Sequence, residues 1–212
     1  MNHYRIAQSK FKIAVRIVKI LRYVPCIRMI AVCNSLSYNR AHEGSDIDLF
    51  IIAKNGRIWT ARFFTLLFLE FIGARPLVCA SFFLAEDSLC IEPYKISVND
   101  PYLEFWIRMI KPLYNETQVY ERFISANSWA FSETLFARYI PNYKRRVKPV
   151  FLKLFLSLFT TWIPETFYKR LQMALLFPII KRLALCFDSR VVISDRIIKM
   201  HTNDRRLEFK SR

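Results

Sequence analysis

Two carboxylates, Asp46 and Asp48, stand two residues apart at the head of the apolar run Ser45-Asp46-Ile47-Asp48-Leu49-Phe50-Ile51-Ile52. Along a strand, side chains alternate between faces, so residues two apart share one face. Two like charges on one face repel unless a cation lies between them. Magnesium takes oxygen ligands and is commonly held by one or two carboxylates together with substrate phosphates. The pair therefore points to phosphoryl or nucleotidyl chemistry with Mg2+ or Mn2+.

Such a pair needs elements that hold it. Ile27 to Cys33 is a short apolar run that reads as a buried strand, broken by Asn34-Ser35. Leu36 to Gly44 reads as a short helix and a polar turn, and Ser45 to Ala53 as the second strand. Asn55-Gly56 signals a turn. Ile58 to Ile72 follows as an apolar helix ending near Gly73, and Pro76 to Leu84 reads as a third strand, with Leu89-Cys90-Ile91 as an extension of the sheet. Upstream, Phe11, Ala14, Ile17, Val18 and Leu21 recur at helical spacing over Ser9 to Val24, with a basic opposite side.

From Pro101 onward the pattern is helical. Helices are expected over Tyr102 to Pro112, Gln118 to Tyr139, Pro149 to Ile163 and Glu165 to Phe187, the last kinked or broken at Pro178. A basic hinge lies at Asn142 to Arg146. The sequence thus predicts an α/β (α+β) fold, a small mixed sheet flanked by helices. Its expected division is a core over 1–95, a helical region over 96–187 and a basic tail over 188–212.

Composition narrows the function. Three glycines cannot build a Gly-rich phosphate loop of the Rossmann or Walker type. The five cysteines form no close pair and read as small buried hydrophobes, and the three histidines do not cluster with them, which argues against zinc. A net charge of +16 fits phosphate-rich partners: nucleotides, nucleic acid or anionic lipid. The polar, basic start lacks the apolar centre of a signal peptide, so a cytoplasmic location is expected, with association to an anionic membrane surface as an alternative. Val150 to Ile163 is too short to span a bilayer, which takes roughly 20 apolar residues. It reads as a buried or interfacial helix.

The block Ile30 to Leu36 followed by Gly44 to Ile52 resembles the signature of the polymerase-beta-like nucleotidyltransferase superfamily. That signature is an apolar strand, Gly-Ser, a short helix, then Asp-x-Asp opening the next strand. The likeness is closest to small bacterial nucleotidyltransferase-domain proteins, through Trp59-Thr60-Ala61-Arg62-Phe63. It extends to Lys111-Pro112-Leu113-Tyr114, Tyr120-Glu121-Arg122-Phe123, Ala126-Asn127-Ser128-Trp129 and Met200 to Asp204.

The resemblance implies a nucleotidyltransferase-type sheet that moves a nucleoside monophosphate from an NTP, ATP included, to a hydroxyl acceptor. The acceptor would be RNA, a protein or a small molecule. It makes Asp46 and Asp48 the catalytic metal ligands and places phosphate at Asn34 and Ser35. Arg62 and Lys111 are further phosphate candidates, with a surface salt bridge as the alternative for Arg62; Tyr38 and Arg40 border the expected pocket.

Two departures stand out. Asn34 replaces the family's glycine, and Asn is among the residues that tolerate left-handed backbone angles. The third carboxylate expected from the next strand is also missing: Ser81 holds the in-strand position, and Glu86 and Asp87 lie past the strand's end. A catalytically degenerate relative that binds nucleotide or nucleic acid is therefore the alternative to an active enzyme.

Overall fold

Apolar runs become strands and periodic segments become helices in the computed structural model, which describes residues 3–131, 145–183 and 191–200. Six strands form one sheet in the order β4-β1-β2-β3-β6-β5. They are β1 (Ile27–Val32), β2 (Ile47–Ala53), β3 (Val78–Ala85), β4 (Lys111–Asn115), β5 (Val191–Ile193) and β6 (Ile197–Met200). Only the β2–β3 pair is parallel; the other four pairs are antiparallel. The mixed α+β architecture expected from the sequence is present.

The described helices are α1 (His3–Leu21), α2 (Asn34–Ser37), α3 (Ile58–Phe71), α4 (Pro101–Met109), α5 (Val119–Ala126), α6 (Leu152–Thr161) and α7 (Glu165–Leu183). β1 and β2 are buried almost throughout because helices cover both sides of them. On one side, Phe11, Val18 and Leu21 of α1 and Trp59 and Leu69 of α3 pack on Ile30, Val32, Leu49 and Ile51. On the other, Leu103, Trp106 and Ile107 of α4 and Phe123 of α5 pack on Met29, Ala31, Phe50 and Ile52. Phe50 is the hub of this second core, with ring centroids 4.9 to 5.2 Å from Phe82, Trp106 and Phe123.

Several expectations are corrected. The helix expected over Tyr102 to Pro112 stops at Met109, and Lys111–Asn115 is a strand on β1. Pro112 removes a ladder donor, but β4 is the outermost strand, and the register shifts between Ile30 and Ala31 beside it. Leu89 to Ile91 is not a strand. The part of the expected 188–212 tail that is described forms β5 and β6, and β6 pairs with β3. The sheet thus draws on all three sequence segments. α7 continues through Pro178. The helix expected over Gln118 to Tyr139 stops at Ala126, and Ser128–Ala130 forms a separate 3-10 turn. Residues 132–139, residues 142–144 of the basic hinge, Cys186, and His201 to Asp204 lie outside the described residues.

Candidate functional site

The geometry at the head of β2 follows from sheet pairing. β2 starts at Ile47, so Asp46 sits in the loop just before the strand and is exposed, while Asp48 is half-buried on the strand itself. Asp48 shares its face with Phe50 and Ile52, the face covered by α4 and α5. Across the antiparallel pair, the Cys33 backbone N–H donates to the Asp48 carbonyl at 3.1 Å. This bond puts the turn after β1 directly beside Asp48.

Asn34 opens that turn at φ +52, in the left-handed region. That backbone angle is one that glycine commonly serves and that Asn accommodates. The Asn34 side chain is fixed, since Trp106 Nε1 donates to its Oδ1 at 3.1 Å. Ser35 follows in the single turn of α2, closed by Arg40 N–H donating to the Ser35 carbonyl and Ser37 Oγ donating to the Asn34 carbonyl.

Lys10 is a participant that sequence reasoning missed. It stands within the buried stripe of α1, three residues after Ala7 and four before Ala14, and donates to the carbonyls of Glu43 at 3.0 Å and Ser45 at 2.5 Å. It therefore pins the loop that leads into Asp46. A lysine at a stripe position is itself a signal, but the sequence does not record which carbonyls it reaches.

The neighbouring strand supplies thiol and hydroxyl. In the parallel register Asp48 lies opposite Cys79, and Cys79 Sγ is 3.2 Å from Ser81 Oγ. The register shifts between Asp48 and Phe50. Burial raises the Cys79 thiol's pKa, and the charges of Asp48 and Asp46 raise it further against the lowering by Ser81. Burial also raises Cys33, with Asp48 and Cys79 adding to it. Both thiols therefore stay protonated beside the carboxylates. Tyr38 closes the site from α2; its buried hydroxyl is pushed up by desolvation and by Tyr102, Cys33 and Asp48, and it finds no hydrogen-bond partner among the described residues. Its ring lies 4.8 Å from Phe105.

Glu86 and Asp87 do not approach the pair. Glu86 N–H donates to the Ala53 carbonyl at the far end of β2, about 17 Å along the strand from Asp48. Its carboxylate faces Arg28 at 3.6 Å and Arg122 at 3.8 Å. The nearest in-strand position to Asp48 is Cys79, with Ser81 next along. Among the described residues no group of three or more His, Cys, Asp or Glu side chains is placed to hold a metal ion. The donor set fits a single magnesium held by two carboxylates and completed by a ligand's phosphates. It does not fit a two-metal centre built from protein carboxylates.

Arg62 is turned elsewhere. The residue is 4 % exposed, and its guanidinium donates to Gln172 Oε1 of α7 at 2.6 Å. Desolvation, helped by Arg75, lowers its pKa to about 10, which leaves it charged at neutral pH. The rest of the Trp-Thr-x-Arg-Phe segment does the same work. Glu165 accepts from the N–H groups of Trp59 and Thr60 and from the Thr60 hydroxyl, so a residue of α7 caps α3. Trp59 Nε1 donates to Asp195 at 2.9 Å, and Phe63 packs on Tyr168 with ring centroids 5.2 Å apart. This motif is the seat of α7 and of the β5–β6 turn. Lys111 stands at the start of β4 beside Val32, its pKa lowered by burial and by Arg145.

A second polar cluster occupies the opposite end of the sheet. Lys153 of α6 donates to the Ile27 carbonyl and to Tyr114 Oη, and pairs with Glu116 at 3.0 Å. Glu116 also accepts from Tyr114 Oη and from Arg28 at 3.2 Å. A cleft of about 270 Å³ opens there, walled by Arg28, Lys54, Arg57, Glu116, Phe151 and Lys153 among others.

No protein-family model, no curated protein and no solved structure matches this chain.

Proposed function

We propose that the chain is a nucleotidyltransferase, which moves a nucleoside monophosphate from an NTP to a hydroxyl acceptor. One observation carries this reading: the Cys33–Asp48 backbone bond holds a left-handed Asn34-Ser35 turn against two carboxylates at a strand head. In this reading Ser35 and the α2 turn bind a terminal phosphate. Asp46 and Asp48 are the residues that would hold a magnesium ion, which would supply charge neutralisation on the phosphates. The acceptor oxygen forms a bond to the α-phosphorus, the bond to the bridging oxygen breaks, pyrophosphate leaves, and the hydroxyl proton passes to solvent. Trp106 and Lys10 are positioning residues, one for Asn34 and one for the loop before Asp46.

A second reading, a nucleotide binder without turnover, is favoured by Cys79 and Ser81, which stand where a third carboxylate would assist the hydroxyl. Incubation with labelled NTPs, Mg2+ or Mn2+, and RNA, protein or small-molecule acceptors tests both. Transfer that falls at least about 100-fold in Asp48→Asn supports the enzyme, by the scale of losing an electrostatic contact to the transition state. Metal-dependent NTP binding without transfer supports the second reading. Neither binding nor transfer sinks both.

A further inference from the structure

The helices α6 and α7 leave large apolar side chains exposed while burying polar ones such as Lys153 and Gln172. On α6 the buried side chains include Lys153 and Thr160. On its other side Phe151, Phe155, Leu158 and Trp162 follow at steps of four, three and four, which is one helical stripe. They are 95, 60, 56 and 88 % exposed. On α7, Gln172 is buried with Tyr168, while Phe167 and Leu175 on the adjacent stripe are open to solvent. Packing does not explain this arrangement. α6 is held to the sheet by the Lys153 ammonium and by Arg57 donating to the carbonyls of Thr160 and Ile163, while Phe151, Phe155, Leu158 and Trp162 stay more than half exposed. An apolar surface of this extent on a charged protein marks a contact with something else.

Charge indicates what that is. The cleft that includes Phe151 is also walled by the exposed Lys54, beside Arg28 and Lys153, which are paired with Glu116. Arg146 and Lys148 are exposed just ahead of α6, and Arg170 is exposed on α7. A stripe of Phe and Leu ending in Trp and rimmed by cations is the pattern of a helix lying in a bilayer interface, and cations there gain from anionic headgroups. A second copy would bring one basic rim against another, in a chain of net charge +16. Among the described residues no helix is long and apolar enough to cross a membrane, so the helix lies in the plane of the interface.

We propose that α6, with the adjoining face of α7, docks on an anionic lipid bilayer. Phe151, Phe155, Leu158 and Trp162 enter the boundary between headgroups and acyl chains, and the rim cations meet lipid phosphates. This proposal stands independently of the nucleotidyltransferase reading.

Flotation of the full chain with vesicles tests it. At low salt the protein floats with phosphatidylcholine–phosphatidylglycerol vesicles, and at least about tenfold less with phosphatidylcholine alone, given roughly fivefold per cation at the surface. Phe155→Ser combined with Trp162→Ser lowers flotation at least about tenfold, from the apolar area it withholds. Its far-UV circular dichroism and denaturation midpoint stay at the parent's, because both side chains are exposed. Lys54→Glu with Lys148→Glu lowers binding to the anionic vesicles only. The proposal is overturned if the parent stays at the bottom of the gradient at low salt, or if the serine variant floats as the parent does. It is equally overturned if the parent sediments as a dimer that the serine variant converts to monomer.

Discussion

At the scale of single residues, Asp48 and Cys79 set what the site can do. They face each other across the parallel β2–β3 pair, and the thiol stays neutral because burial raises its pKa, with the carboxylates' charge adding to it. Cys79→Asp would restore a third oxyanion at the one in-strand position adjacent to Asp48. We expect Mn2+ binding, followed by electron paramagnetic resonance, to tighten at least about tenfold, since affinity for hard cations follows the charge of the ligand set. Unchanged binding would show that the two strands do not present a shared ligand face. The aspartates and the left-handed Asn34 were legible in the sequence, because alternation and backbone tolerance are local properties. Lys10, Cys79 and Trp106 were not. Each reaches the site from another element, and nothing in its own neighbourhood records the distant partner.

At the scale of elements, the segment from Trp59 to Phe63 shows how a recognisable motif can belong to packing. Its hydrogen bonds go to Glu165, Gln172 and Asp195, none of them at the aspartate pair. Glu165→Ala removes the cap of α3 and should cost about 1–2 kcal/mol of stability in urea denaturation, the range for a lost N-terminal cap. A loss within error would mean that water takes over the cap. Asp195 gives a pH-dependent counterpart. Hydrogen bonds from Lys169 and Trp59 lower its pKa in the folded chain. Its contribution is complete above the ordinary carboxylate pKa and fades as pH falls through the lower folded value. Asp195→Asn should therefore flatten the acid side of the stability–pH curve slightly, because the group is exposed and solvent screens it. The strands β1, β2 and β3 were legible as apolar runs bounded by turns. β4 was hidden by Lys111-Pro112, and β5 and β6 by their three and four residues around Ser194-Asp195-Arg196, too short to show a period.

At the scale of the whole molecule, the sheet separates two polar ends. The aspartate pair occupies one, and the buried Lys153–Glu116 pair the other, where it anchors α6. Glu116→Gln leaves the Lys153 ammonium buried without its counter-charge and should cost about 3 kcal/mol in denaturation. Adding Lys153→Met should recover part of that loss, so the two changes are not additive; additive losses would show that the pair is not coupled. The position of β6 has a consequence for synthesis. Among the described residues β3 is covered on its outer edge only by β6, through Phe83 opposite Ile198, whose codon is read about 115 residues later. At roughly 5–20 residues per second, the ribosome leaves that edge open for roughly 6–23 seconds. Throughout that interval Phe82, Phe83 and Leu84 offer an unpaired backbone row to any other nascent chain, so the yield of soluble protein should depend on chaperone supply and rise when translation is diluted among fewer transcripts.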